Sequence, residues 1–457
     1  MKRRGSLLSA VFLVLPALLA AQEPAFDRGE FAARRGRLFD QIGRGAAVVF
    51  GSPAHPHSVR FRQTPDFFYL TGIEEPGSIL VLDGRTRRPV VLAPARPQGP
   101  VSVDGPGVRE HPNAEAHYGV SLRDPEGFWA LMDSVAPGAD TLFLPLTPHD
   151  ELQLARFEVL MRQRAQQNHP IWGGPSPVAR AIERLRGMRA QKPVADLSPR
   201  LDRMRWVKTP YEIERMRIAG RVGAEGVREA IKGTRPGMHE YELEAAARYV
   251  YVRSGMRGDA FIPIVASGRN TLTLHYIENN RRMEAGDLVY MDYGADADYY
   301  TSDITRTWPV SGRFTPEQER MYRTVLEARN AIIAAMKPGV RLSQLKDAAA
   351  AVYERYGYGE QFRQFGRYVG HPVGMSVHDV EPGRPGADLV LEAGVVYNVE
   401  PLLHLPEQGV HVRLEDSVLV TATGAENLTA AVPVDIEEIY ALIRQRPISH
   451  RDTEAQR

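Results

Sequence analysis

An α/β domain of mixed strands followed by an α+β domain is the fold this sequence predicts, and three observations predict it. Up to residue 186, short apolar runs alternate with, or precede, helical patterns. Across 191–200 the period is lost and Pro193 and Pro199 appear, which places the domain boundary there. Beyond it, helices with strong start signals are interleaved with apolar strands that carry acids.

In the first domain, expected to span 25–192, a helix is predicted over 29–43. Strands are predicted over 46–50, 67–71, 78–82, 89–93 and 141–144, and helices near 126–135, 150–163 and 177–186. The second domain is expected over 200–446. Thr209 as cap, Pro210 at the first helical position and Glu212 form a capping box, and residues 315–318 form another. Strands near 261–265, 287–293, 302–308, 395–400 and 411–420 are expected to build one curved sheet. The polar stretch 447–457 reads as a frayed tail.

A chain of 457 residues is long enough for two domains and a substantial core. Its 57 Lys and Arg against 56 Asp and Glu leave no broad field of either sign, which argues against nucleic acid or an anionic membrane as partner. Lys2, Arg3 and Arg4 precede an apolar stretch ending at Ala20 and Ala21, so residues 1–21 read as a secretory signal. The protein is accordingly expected to be exported, periplasmic or secreted, with a mature form free of the membrane. No cysteine is present, which excludes disulfides, thiol catalysis and cysteine-held zinc.

The chemistry lies in the second domain. Asp292 sits inside the apolar run 288–294, and Asp303 lies in the β-branched stretch 301–307. A hairpin turning near 294–298 would bring both acids to one face. Glu400 ends the apolar run 395–401, and Arg413 and Glu415 share one face of the 411–420 strand. A lone acid of this kind is ordinarily explained by a salt bridge. Four acids with apolar neighbours are better explained by a shared cation cavity. His371 and His378, seven apart in a glycine-flanked segment, add a nitrogen ligand and a proton donor. His275 is a further candidate for substrate contact.

The order Asp292, Asp303, His371, Glu400, Glu415, with its flanks, resembles the metallopeptidases of the pita-bread fold. Residues 62–72 (RQTPDFFYLTG) and 208–217 (KTPYEIERMR) are similar to those of the aminopeptidase P family within that group. The resemblance spans nearly the whole mature chain and implies a pita-bread catalytic domain behind an aminopeptidase P-like first domain. It further implies two divalent ions, Mn²⁺ first with Zn²⁺ or Co²⁺ as substitutes, bridged by Asp303 and Glu415. Asp292 would complete one metal site, and His371 with Glu400 the other. Glu400, His378 and His275 would be catalytic, and Arg413 and Arg384 would contact substrate. The implied substrates are peptides with proline second, and the implied assembly is a dimer or tetramer. One departure is Arg367, where these enzymes often carry a histidine. A dipeptidase restricted to Xaa-Pro, and a pita-bread module without catalysis, are the competing readings.

Overall fold

The computed structural model describes residues 28–53, 60–96, 106–151, 154–188, 193–384 and 386–445. The expected signal at 1–21, the start of the first domain at 25 and the tail 447–457 fall outside the described residues.

Six strands form the first sheet, in the spatial order Ser121–Arg123, Arg88–Leu92, Ile79–Asp83, Ala46–Phe50, Leu142–Leu144 and Val194–Asp196. The central pairings are antiparallel and the outer ones parallel, so the sheet is mixed. Strand alternation sends Ala47, Val49, Leu80 and Leu82 to one face and Ala46, Val48 and Val81 to the other. Both faces are buried. The first is covered by Phe31 and Leu38 of the Arg28–Ile42 helix, and the second by Met132 and Leu185 of two later helices.

Two expectations for this half change. The run 67–71 is not a strand: Pro65–Thr71 is a helix, with every residue buried. Pro65 starts it and Gly72, at φ 63°, ends it in the left-handed conformation. Four consecutive apolar residues and a threonine have no period that separates a buried strand from a buried helix turn. The first sheet also runs on through Val194–Asp196, past the expected domain end at 192, because that strand pairs with Leu142–Leu144.

In the second half, Pro210–Ile231 packs on Glu240–Arg253, and Pro316–Ala335 on Leu342–Tyr356. The two expected capping boxes open the first and third of these helices, with Thr209 N donating to Glu212 Oε2 at 2.9 Å and Thr315 N to Gln318 Oε1 at 3.0 Å. The expected single curved sheet is divided into smaller ones. Leu288–Asp292 pairs with Thr305–Pro309 and Ile264–Ser267, and Val396–Val399 pairs with Asp416–Val420. Leu402–Leu405 pairs with Val410–Arg413. The divisions fall at acids. Pro401 has no N–H to continue a ladder, and Glu400 N donates to Val369 O at 2.8 Å. Glu415 N donates to Thr305 O at 3.0 Å, so the expected strand 411–420 becomes two.

Asp292 and Asp303 flank a hairpin, Ala295–Ala297 with Tyr300–Thr301, whose tip at Asp298 and Tyr299 has φ of 53° and 75°. That tip is held by the first half of the chain. Phe68 stacks on Tyr299 with ring centroids 3.5 Å apart, Gln63 N donates to the Tyr299 hydroxyl at 2.8 Å, and that hydroxyl donates to Glu74 at 2.7 Å.

Replacing Tyr299 by Ala should cost on the order of 3 kcal/mol through lost packing. Tyr299→Phe keeps the stack and should cost only about 1 kcal/mol. Denaturant titration measures both, and equal costs would assign the tip's hold to the hydroxyl instead of the ring.

Candidate metal centre

Strand ends deliver the acids to one place. Asp292 is the last residue of its strand and lies opposite Thr305, two residues beyond Asp303. Glu400 and Glu415 occupy the breaks between paired short strands, where the backbone turns and the side chain leaves the ladder. His371 enters on a segment that runs beside Val396–Val399: Asn398 N donates to His371 O at 2.6 Å and Tyr397 Oη to Gly370 O at 2.7 Å. Gly370, at φ 137°, lies so close to the Asn398 carbonyl that a Cβ would collide with it.

The ligand atoms converge. His371 Nε2 is 3.5 Å from Asp303 Oδ2, 3.6 Å from Glu415 Oε1 and 3.7 Å from Glu400 Oε2. Its Nδ1 faces the Pro372 carbonyl at 3.1 Å, so a proton there leaves the Nε2 lone pair aimed at the acids. Arg413 spans Asp292 and Glu400, with NH2 donating to Asp292 Oδ2 at 2.8 Å and NH1 to Glu400 Oε1 at 3.0 Å. Glu415 accepts from Thr305 Oγ1 at 2.5 Å and from Asn398 Nδ2 at 2.6 Å.

This arrangement is costly by itself. Burial, then Glu415 and Asp292, push the Asp303 carboxyl well above its ordinary range, and burial with Glu400 and Asp292 does the same to Glu415. Burial opposes the charge of Glu400 too, but Arg413 and His371 outweigh it and hold that carboxyl low. Oδ1 of Asp292 and Oδ1 of Asp303 are buried and receive no hydrogen bond among the described residues. Unpartnered carboxylate oxygens beside an imidazole lone pair are a donor set that a divalent cation satisfies. Asp303, His371 and Glu415 each offer an atom within 4.8 Å of the others.

The four acids and the His371 imidazole line a cavity of about 280 Å³ together with Arg413, His275 and His378. Its apolar walls include Leu154, Phe261, Ile264, Phe365 and Leu402. His378 is half-buried, its ring edge-on to His371 with centroids 4.3 Å apart, and His275 is exposed at the rim. Arg384 is not brought in: it is exposed on a loop and lies outside the cavity lining. Arg367 turns away as well, donating to Asp347 on a neighbouring helix at 2.5 Å. The next residue, Tyr368, enters the cavity and donates to Glu400 Oε2 at 2.7 Å. Sequence reading missed Tyr368, Thr305 and Asn398. Their signal was only adjacency to a ligand motif, which does not say where a hydroxyl or amide points.

Known proteins resemble this chain over most of its length. The family profile "Metallopeptidase family M24" matches residues 214–422, and "Aminopeptidase P, N-terminal domain" matches residues 31–143. The Xaa-Pro aminopeptidase of Escherichia coli is 31% identical, covering 91% of this chain and 98% of its own. The solved structure of aminopeptidase P from E. coli with the inhibitor Pro-Leu superposes with a TM-score of 0.77 at 30% identity, covering 91% and 98% of the two chains. A Xaa-Pro dipeptidase of Pyrococcus furiosus is 36% identical, but over only 50% of this chain and 64% of its own.

The raised Asp303 and Glu415 carboxyls carry a sign. Without metal, the folded chain retains protons that the unfolded chain has released, so this pair's contribution to stability is present at low pH and lost as pH rises through the raised values. Chelator-treated Asp303→Asn, which removes one charge, should therefore gain in melting temperature over the chelated parent as pH rises from about 5 to 8. The same variant should fail to take up divalent metal, and the parent should overtake it once metal is added. A chelated parent that stayed the more stable at pH 8 would mean the acids do not repel one another.

Proposed function

The chain belongs to metallopeptidase family M24, among the Xaa-Pro aminopeptidases with their pita-bread catalytic domain and divalent metal ions, and from that membership we propose the particulars of its chemistry. It hydrolyses the bond between an N-terminal residue and a following proline. The observation that carries this is the alignment of both halves of the chain with aminopeptidase P, over a cavity where four acids and one imidazole converge. The likeness to the dipeptidase is confined to half of the chain, so that alternative is not favoured.

We assign two ions rather than one because the donors are numerous and their negative charge exceeds that of one ion. Asp292, Asp303, Glu400 and Glu415 against Arg413 leave three negative charges, more than one divalent ion neutralises. Asp303, His371 and Glu415 are spaced as ligands of one ion, Glu400, 3.7 Å from His371 Nε2, would join them, and Asp292 with the remaining oxygens of Asp303 and Glu415 would hold the second. Oxygen donors with one imidazole suit Mn²⁺, with Zn²⁺ or Co²⁺ as substitutes. Bound there, the ions supply water activation near neutral pH and polarisation of the scissile carbonyl.

The chain's own residues do the rest. Arg413 keeps Glu400 ionised and oriented, and Tyr368 pins its other oxygen; both contacts support Glu400 as the group that takes a proton from the attacking water and passes it to the leaving nitrogen. His378 and His275 bind the substrate carbonyls across the cavity. A bond before proline has no N–H, and the fixed ring can be received by the apolar wall at Phe261, Ile264 and Leu402 without an acceptor for an amide hydrogen. Residues 1–21 act as an export signal, the mature protein works in the periplasm or outside the cell, and it assembles as a homo-oligomer.

A peptide panel with added Mn²⁺ should show cleavage of Xaa-Pro-Xaa and longer peptides, abolished by a chelator. His378→Ala should lower turnover by roughly 10²-fold with metal content retained. Activity confined to Xaa-Pro dipeptides would replace this reading with the dipeptidase.

A further inference from the structure

One carboxylate beside the active centre belongs to none of the roles above. Glu158 lies in the first turn of the Arg156–Gln167 helix, in the N-terminal half of the chain. Its Oε2 accepts the Ala155 N–H at 2.8 Å and stands 3.7 Å from Nδ1 of His378. His378 is its largest stabilising neighbour and His275 a further one, and together with the helix N-terminus they hold the Glu158 carboxyl below its ordinary range despite partial burial.

The spacing of this pair is set from both sides by one buried ion cluster. On the Glu158 side, Arg156 donates to Asp66 at 3.2 Å and pairs with Asp202 at 2.6 Å. On the His378 side, the next residue, Asp379, accepts from Arg205 at 2.5 Å and pairs with Lys208 at 3.1 Å. Arg205 also donates to Asp66 and Asp150, both at 2.8 Å, which joins the two sides. Within the loop, Ser376 donates to Asp150. Every one of these charges is buried except the half-buried Arg156, so the cluster resists rearrangement. The helix turn and the histidine loop are thereby mounted on a common base.

Resting on the aminopeptidase reading, we propose that Glu158 is a positioning residue for His378. Its carboxylate faces Nδ1, so the imidazole carries its proton there and keeps that edge toward the helix. The opposite nitrogen, Nε2, is left to face the cavity, and the ring is prevented from turning. The gap of 3.7 Å is a few tenths of an ångström beyond a hydrogen bond, as catalytic contacts often are before substrate binds. Glu158 is not among the residues lining the cavity, so its effect on the centre passes through the imidazoles it faces, His378 first and His275 at longer range. The N-terminal half of the chain thus contributes to the catalytic centre.

Kinetics on Ala-Pro-Ala with excess Mn²⁺ test this in a double-mutant cycle. Glu158→Ala should lower kcat by about 10-fold or more while KM and metal content stay within about 2-fold. In a His378→Ala background the same change should have almost no further effect, because the residue it acts through is gone. Equal losses in both backgrounds would overturn the proposal, as would a loss confined to KM. Side-chain ¹⁵N spectra of the metal-free protein give a reading that needs no turnover. His378 should be the Nδ1–H tautomer in the parent and shift toward a mixture in Glu158→Ala. An unchanged tautomer overturns the positioning role, whereas a parent that fails to cleave the peptide overturns only the aminopeptidase reading.

Discussion

Four carboxylates packed around one imidazole in a buried cavity are the constraint on which the second half of this molecule depends. Two of them, Asp303 and Glu415, lie so close to the others that ionisation is opposed by burial and by mutual repulsion. One guanidinium, Arg413, is inserted between Asp292 and Glu400 and offsets part of the charge. The remainder calls for cations. The acids are placed at strand ends and strand breaks, positions where a side chain can leave the ladder without a competing cross-strand neighbour.

Adjacent residues show how the strands divide labour. Glu415 serves the cavity, while Asp416, on the opposite side of the same strand start, is buried between Arg306 and Arg329 at 2.7 and 2.5 Å. Despite full burial those two cations hold the Asp416 carboxyl down at about 2. Arg306 also donates to the Glu415 carbonyl at 2.7 Å, so a salt-bridged layer beneath the centre fixes the backbone from which the metal ligand projects. The N-terminal half does similar work from the other direction. It grips the hairpin between Asp292 and Asp303 through Tyr299 and Tyr300, and it anchors the loop between His371 and His378 through Asp150, which accepts from Ser376.

Much of the fold was legible in the residues. Helix starts at Thr209 and Thr315 are written locally, since a capping box is a contact between residues three apart. The Ala46–Phe50 strand follows from a run of small and β-branched residues. The helix at Pro65–Thr71 did not, because a short buried run obeys tertiary packing and not its own period. The split of the expected single sheet at Glu400 and Glu415 was equally hidden. A strand break caused by pairing with Val369 or Thr305 depends on residues far away in the chain.

Residue type and order along the chain determined the family, the α/β and α+β halves and the acids with their imidazole, because hard oxygen donors inside apolar strands have few other uses. Composition also removed thiol and disulfide chemistry outright. Tertiary structure alone decided which neighbours serve those ligands. It turned Arg367 and Arg384 away from the cavity, brought Tyr368 to Glu400, and set Glu158 against His378 across 220 residues of chain. Such pairings depend on distances between separately folded segments, and no local pattern of residues encodes a distance of that kind.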